Sequence, residues 1–283
     1  MQKLNLVDLE KSDIKYRISK FPDGQQTVDI EGSYNPKNLA NVLIHTRLNS
    51  FKDLEILICA TQALRNLAAG DIGVHIPYFL GARSDRKFQE GGVNYLKQVI
   101  CPIINSQNYC TVITLDPHSD VLEACLNNYN KIDNHTFAKF ALTDIDNKDG
   151  AQDRICLVSP DAGAYKKIFD VAKKFGIEKV ITATKVRDMK SGNIIRTEIP
   201  TLDQHNDIKY VIIDDICDGG RTFVELAKAM KASRPTAKIY LAVTHGIFSA
   251  GFDTLNEYFE KIYTTNSVQN FEDTDKLKSV NVF

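Results

Sequence analysis

Residues 211–224 read VIIDDICDGGRTFV, and this stretch constrains the fold more than any other part of the chain. An apolar run of strand character ends in two adjacent aspartates, Asp214 and Asp215. The turn Asp218-Gly219-Gly220-Arg221-Thr222 follows and leads into the helical pattern FVELAKAMKA. A continuous apolar strand of this kind is buried on both faces, as in a parallel sheet covered by helices. Strand, glycine turn and helix in succession present backbone amides to an anion at the carboxyl end of such a sheet. The glycines let the backbone approach a phosphate, and Thr222 is expected to cap the helix. The carboxylates suit hydroxyls or a phosphate-bound metal.

The same alternation runs through the whole chain. Strand candidates are residues 41–46, 71–79, 111–116, 154–161, 179–186, 210–215, 238–245 and 261–266. Between them lie the helical patterns DLEILICATQALRNLAAG, GVNYLKQVICPIINS, AYKKIFDVAKKFG and VELAKAMKAS. Alternating strand and helix predicts α/β architecture with parallel sheets and helices on both faces. At 283 residues the chain exceeds one comfortable core. The polar stretch 141–153 marks the expected boundary, giving domains over 1–145 and 146–283 of similar layout. MKSGNI (189–194) has hairpin-turn composition, so 180–198 is expected to form a β-flap.

Composition excludes several function classes. A formal net charge of −1 gives no whole-chain argument for nucleic-acid or membrane binding. Cys59, Cys101, Cys110, Cys125, Cys156 and Cys217 are scattered without a CxxC pair, as befits buried thiols in a reducing compartment. The N-terminal MQKLNLVDLEKSD lacks the apolar core of a signal peptide, and no run approaches membrane-spanning length. A cytoplasmic protein is expected.

Neither GxxxxGK[ST] nor GxGxxG occurs, so other segments must carry any nucleotide chemistry. IPYFLGARSDRK (76–87) follows a strand and offers Arg83, Asp85, Arg86 and Lys87. TLDPHSD (114–120) places Asp116 and His118 at another strand end, and SPDAG (159–163) does the same with Asp161. A single such cluster is an ordinary solvated turn. Several of them, each at a strand terminus where open α/β sheets collect ligands, point to a site.

Taken together, these segments resemble the ribose-phosphate pyrophosphokinase family. PYFLGARSDRK is similar to that family's PYFGYARQDRK, TLDPHSD to VDLHxxQ, LVSPDAG to VVSPDxGG and VTHGIFSAG to ATHxxFSG. KFPDGQQTVDI (20–30) resembles RFSDGEVxVxI, and the sugar-phosphate loop stands at the family's position. The resemblance runs from about residue 20 to about 265. It implies two tandem phosphoribosyltransferase-like domains with a β-flap. It also implies that Phe21, Asp23 and Gln25 reach the adenine of ATP from a neighbouring subunit of a homo-oligomer. Arg83, Ser84, Asp85, Arg86 and His118 would lie on the other side of the ATP, and His118 and Asp161 would hold Mg²⁺. Lys185 and Arg187 in ATKVRD match the flap's catalytic cations. Asp214, Asp215, Asp218, Gly219, Gly220, Arg221 and Thr222 would bind the pentose and its 5-substituent. The implied reaction is attack of a ribose 1-hydroxyl on the β-phosphorus of ATP, with release of AMP. Positioning and charge neutralisation by Mg²⁺, Lys185, Arg187 and Arg83 would carry it, without a covalent intermediate.

The chain departs from that family at informative places. The sugar loop reads DGGRT instead of DTGGT or DTAGT, so a threonine hydroxyl is missing and Arg221 replaces a glycine. An arginine there either faces solvent or grips a second phosphate on a larger acceptor such as ADP-ribose. Gln25 and Ser84 stand where the family has Glu and Gln, FQEGGVN replaces a basic loop after Arg86, and the sequence ends at SVNVF. These differences bear on the usual phosphate and ADP control and on the usual hexamer. Two other classes compete: a phosphoribosyltransferase, with one such domain and no ARSDR–DPHSD–SPDAG series, and a catalytically silent regulatory relative.

Overall fold

The computed structural model describes residues 1–32, 36–146, 154–187, 194–203 and 207–283, with the backbone alone for 36–37, 185–187 and 194–197. The chain divides into two compact units, Met1–Asp133 with Val282–Phe283, and Asn134–Asn281.

The first unit runs β1 (Gln2–Asn5), a hairpin of β2 (Tyr16–Lys20) and β3 (Gln26–Ile30), β4 (Asn41–His45), α1 (Phe51–Asn66), β5 (Asp71–His75), α2 (Cys101–Ser106), β6 (Val112–Leu115), α3 (Val121–Cys125) and β7 (Tyr129–Ile132). Its five-stranded sheet has the order β1-β4-β5-β6-β7, with every neighbouring pair parallel. Helix α1 starts at a reciprocal capping box between Ser50 and Asp53. Its Leu54, Leu57, Ala60, Thr61 and Leu64 recur at helical period and are buried. With Val42, Ile44, Ile72 and Val74 of the strands, the apolar members of that stripe form the core.

The helix expected over residues 92–106 begins instead with one wide turn, Leu96–Ile100, in which the Cys101 N–H reaches back to the Leu96 carbonyl. Pro102, in the first turn of α2, is the physical reason. Its ring donates no hydrogen bond and would crowd the carbonyl four residues earlier, and a widened turn relieves both problems.

The second unit runs α4 (His135–Asp146), β8 (Ile155–Ser159), α5 (Tyr165–Phe175), β9 (Lys179–Thr182), β10 (Thr184–Arg187), β11 (Ile194–Glu198), β12 (Lys209–Cys217), α6 (Arg221–Ser233), β13 (Lys238–Gly246), α7 (Asp253–Tyr258), β14 (Lys261–Thr265) and β15 (Leu277–Val280). Its six-stranded parallel sheet has the order β15-β14-β13-β12-β8-β9. Alternate residues of β12 face opposite layers. Tyr210 and Ile212 join Phe223, Leu226, Ala227 and Met230 of α6. Val211 and Ile213 join Ile168 and Val171 of α5 and Phe137 and Ala141 of α4. Burial on both faces is why this segment reads as a continuous apolar run.

Strand β8 neighbours both β9 and β12. The chain therefore leaves β8 towards one edge and returns on its other side. Such a reversal of strand order opens a crevice at the carboxyl ends of the strands, where open α/β sheets bind ligands.

The division at Asp133/Asn134 differs from the boundary expected at 145/146, and α4 explains the difference. Its Phe137, Ala138, Ala141, Leu142 and Ile145 are buried with Ile155, Leu157 and Ile168 of the second unit. Asp144 also accepts hydrogen bonds from Lys261 and the Tyr263 hydroxyl, each at 2.9 Å. In the flap, β10 and β11 pair antiparallel with Lys185 opposite Thr197, and the register shifts between Val186 and Arg187. Residues 189–193 of the expected hairpin turn, with Asp188 before it, lie outside the described residues. All six cysteines are free thiols, and no helix among the described residues is long and apolar enough to cross a membrane.

Candidate functional site

The site begins where β12 outruns its neighbour. Pairing with β8 ends at Ile212–Val158, whereas pairing with β13 continues to Cys217–Gly246. Asp214 and Asp215 therefore stand beyond the β8–β12 pairing, at the crevice. Asp215 is 6% exposed, its N–H donates to the Asp214 carboxylate at 2.9 Å, and Lys167 of α5 lies 3.7 Å from its own carboxylate. Burial, then the charges of Asp215 and Asp161, hold the Asp214 carboxyl well above the usual carboxylate range. Asp161 belongs to the loop after β8, where its carboxylate accepts the Ala164 N–H at 3.1 Å and its carbonyl accepts the Ser159 hydroxyl at 2.7 Å. Crowded carboxyls of this kind suit hydroxyl donors or a cation.

The glycine turn is held from the side. Asp218 accepts the Ser249 hydroxyl at 2.6 Å, and the Ser249 N–H reaches the Asp218 carbonyl at 3.2 Å. The N–H groups of Ile247 and Phe248 both reach the Cys217 carbonyl. The loop after β13 thus fixes the loop after β12. Gly220 is in the left-handed conformation, φ 76°, and a Cβ there would sit 3.1 Å from Leu255, so glycine is required. Around Gly219 a Cβ would meet nothing nearer than Ser249 at 3.7 Å, which leaves that side open.

Thr222 does not cap α6, contrary to expectation: the cap is Gly220, with no side-chain hydrogen bond. The glycine's left-handed backbone starts the helix two residues earlier than the threonine would, and Thr222 falls inside the first turn. A first turn that no side chain caps directs its amide dipoles at whatever anion occupies the loop. Arg221 opens the helix and is exposed.

The residues expected on the ATP side lie on three loops of the first unit. Phe21, 51% exposed, sits in the tight β2–β3 turn. There its N–H meets the Gln25 carbonyl at 2.8 Å, and Asp23 accepts the Gln25 N–H at 3.1 Å. Arg83, Ser84, Asp85 and Arg86 follow β5. The Ser84 N–H reaches the Gly81 carbonyl, and the Arg86 guanidinium lies 5.7 Å from the Phe88 ring centre. Asp85 accepts the Ser119 hydroxyl at 2.7 Å, which ties this loop to the one carrying exposed His118. Buried Asp116 turns the chain out of β6 with φ 41°, an uncommon value that an aspartate tolerates better than most residues.

His118 stands in the first unit and Asp161 in the second. Among the described residues no group of three or more His, Cys, Asp or Glu is placed to hold a metal ion. Lys185 and Arg187 lie on β10, where the backbone alone is described.

Three contacting residues escaped the sequence reading: Ser119, Lys167 and Ser249. Lys167 left a trace in the sequence, because a cation in the first turn of a helix opposes the helix dipole and calls for an anionic partner. Ser249 and Ser119 lie within segments already singled out, VTHGIFSAG and TLDPHSD, but carry no signal of their own.

Comparison with known proteins gives a consistent picture. The chain is 25% identical over 253 residues to the ribose-phosphate pyrophosphokinase of Vibrio parahaemolyticus, covering 89% of this chain and 78% of that protein. It is 27% identical over 243 residues to the enzyme of that name from Xylella fastidiosa, covering 86% and 73%. Its fold matches the crystal structure of phosphoribosylpyrophosphate synthetase from Mycobacterium smegmatis with a TM-score of 0.77. That match covers 97% of this chain and 88% of the other at 16% identity. No family model matches the chain.

Proposed function

We propose, from the premise that this chain is a divergent relative of the ribose-phosphate pyrophosphokinases, that it transfers the β,γ-diphosphoryl group of ATP to the 1-hydroxyl of a ribose 5-phosphate-type sugar. The observation that carries this reading is the end of β12. There the paired carboxyls of Asp214 and Asp215 stand beside a glycine turn and a helix start that no side chain caps. The first feature suits sugar hydroxyls and the second a sugar phosphate.

In the reaction the 1-hydroxyl oxygen bonds to the β-phosphorus and the bond from that phosphorus to the α,β-bridging oxygen breaks. AMP leaves with the electron pair, and the hydroxyl proton passes to solvent. Asp214 and Asp215 orient the sugar ring, while Asp218, Gly219, Gly220 and Thr222 surround its 5-phosphate. Lys185 and Arg187 stabilise the diphosphoryl group in flight, with Arg83 on the nucleotide side. Phe21, Asp23 and Gln25 serve the adenine together with Ser84, Asp85 and Arg86. Exposed Phe21 is suited to reach the site of a second copy of the chain.

An aspartate such as Asp161 offers the hard oxygen donor that a divalent cation bridged by phosphates takes. By the family resemblance, His118 and Asp161 are each expected to serve Mg²⁺, which would supply neutralisation of phosphate charge. Incubation with Mg-ATP and either ribose 5-phosphate or ADP-ribose, followed by AMP release and product mass, tests this function. ADP in place of AMP would mean an ordinary kinase.

A second reading concerns the acceptor alone. Arg221 is exposed at the first position of α6, beside the open flank of Gly219. A guanidinium there is suited to a second phosphate, as in ADP-ribose. Arg221→Gly is then expected to lower kcat/KM for ADP-ribose about tenfold or more while sparing ribose 5-phosphate. Little change on either sugar returns Arg221 to solvent, and an equal or smaller loss on ADP-ribose than on ribose 5-phosphate refutes the extended acceptor.

A further inference from the structure

Asp215 is 6% exposed and lies next to Asp214, whose carboxyl burial, Asp215 and, to a lesser degree, Asp161 hold above the usual range. Two adjacent carboxyls buried at a strand end repel one another, and a charge that is not fixed there would rotate or take up a proton. Lys167 answers this. It projects from α5, the helix that follows the Asp161 loop, and its ammonium lies 3.7 Å from the Asp215 carboxylate while about a third of its side chain stays exposed. The helix is anchored independently, through buried Ile168, Val171 and Ala172 and the left-handed Gly176 that ends it. Lys167 is therefore not needed to hold α5 in place. Its position near the helix N-terminus opposes the dipole, so the placement has another use.

We propose that Lys167 is a positioning residue for the acceptor sugar: its ammonium fixes the Asp215 carboxylate in the charged orientation in which the acidic pair receives two hydroxyls of the ribose. The proposal rests on the reading of this site as the sugar site.

The test separates a sugar-specific effect from a merely structural one. Lys167→Met keeps the aliphatic stem and removes the charge. It is expected to raise KM for ribose 5-phosphate about tenfold or more, with KM for ATP and kcat within about threefold of wild type. Lys167→Arg restores the charge and is expected to recover most of the loss. On an Asp215→Asn background, Lys167→Met is expected to add little, because the group it orients is already gone. Calorimetric titration of ribose 5-phosphate into each protein without ATP reads the same effect independently of turnover. Lys167→Met with wild-type sugar affinity overturns the inference while leaving the proposed function intact, and so does a loss that adds in full on the Asp215→Asn background. A lowered Tm with equal losses for sugar and ATP also overturns it, since that pattern is structural. A wild-type protein that binds no sugar phosphate overturns the reading of the site, and the inference with it.

Discussion

Lys185→Ala and Arg187→Ala are each expected to lower kcat by about 10²–10³, with substrate KM values and Tm little changed. Diphosphoryl transfer spreads negative charge over the moving group, and little covalent work is asked of the protein. A donor aimed at that charge in a water-poor site is worth about 2.7–4 kcal/mol of barrier, which is the stated range in rate. Both residues lie on β10, a strand paired with β11 alone and outside both large sheets. A two-stranded ribbon outside both sheets adds little to either core, so the fold should tolerate both substitutions. Steady-state kinetics with thermal denaturation on the same preparations decides the matter. Unchanged turnover in either variant would make that residue an ordinary exposed cation.

Asp214→Asn is expected to act in opposite directions on function and stability. Replacing one carboxyl of the pair that receives the sugar hydroxyls, one that burial keeps protonated, should lower kcat/KM for the sugar about 3–10-fold, the worth of an uncharged hydrogen bond. Stability should rise at neutral pH. In the folded chain the Asp214 carboxyl is held well above its usual range by burial and by Asp215 and Asp161. The native state therefore keeps a proton that the unfolded state has released. With more protons bound in the folded state, stability falls as pH rises from the unfolded carboxylate value, about 3.9, to the raised folded value. Above that window the full cost is present, and asparagine abolishes it. The variant's Tm should exceed wild type at pH 7, and the two curves should converge towards acid. A Tm difference independent of pH would show that Asp214 carries no such strain.

Much of this was legible in the sequence because the relevant residues are contiguous. The apolar run before Asp214 must be buried on both faces, and the glycine turn must open a helix. The structure has both, in β12 and α6. Helix α1 was readable from its apolar period, and α5 from its period and from Gly176 at its end. What escaped notice depends on contacts distant along the chain. Helix α4 reads as the tail of one domain until Ile145 and Phe137 are seen packed on Ile155 and Leu157. The edge strands β1, β7 and β15 are only four residues each, too short for a period to stand out. Lys167 and Ser249 acquire meaning only through Asp215 and Asp218, which fold beside them. Thr222 misled because threonine is a common helix cap, and a left-handed glycine took the position first.

If the sugar's own oxygen attacks the β-phosphorus of ATP, an isotope label on that oxygen follows it into the product. The protein is incubated with Mg-ATP and acceptor sugar carrying ¹⁸O at C1, under single-turnover conditions too short for the anomeric oxygen to exchange with water. Products are then resolved by mass and by ³¹P NMR. AMP and diphosphorylated sugar are expected in one-to-one ratio, with the label retained between C1 and the β-derived phosphorus and absent from AMP. Stoichiometric ADP, or label lost from the sugar into a free phosphate, would contradict it.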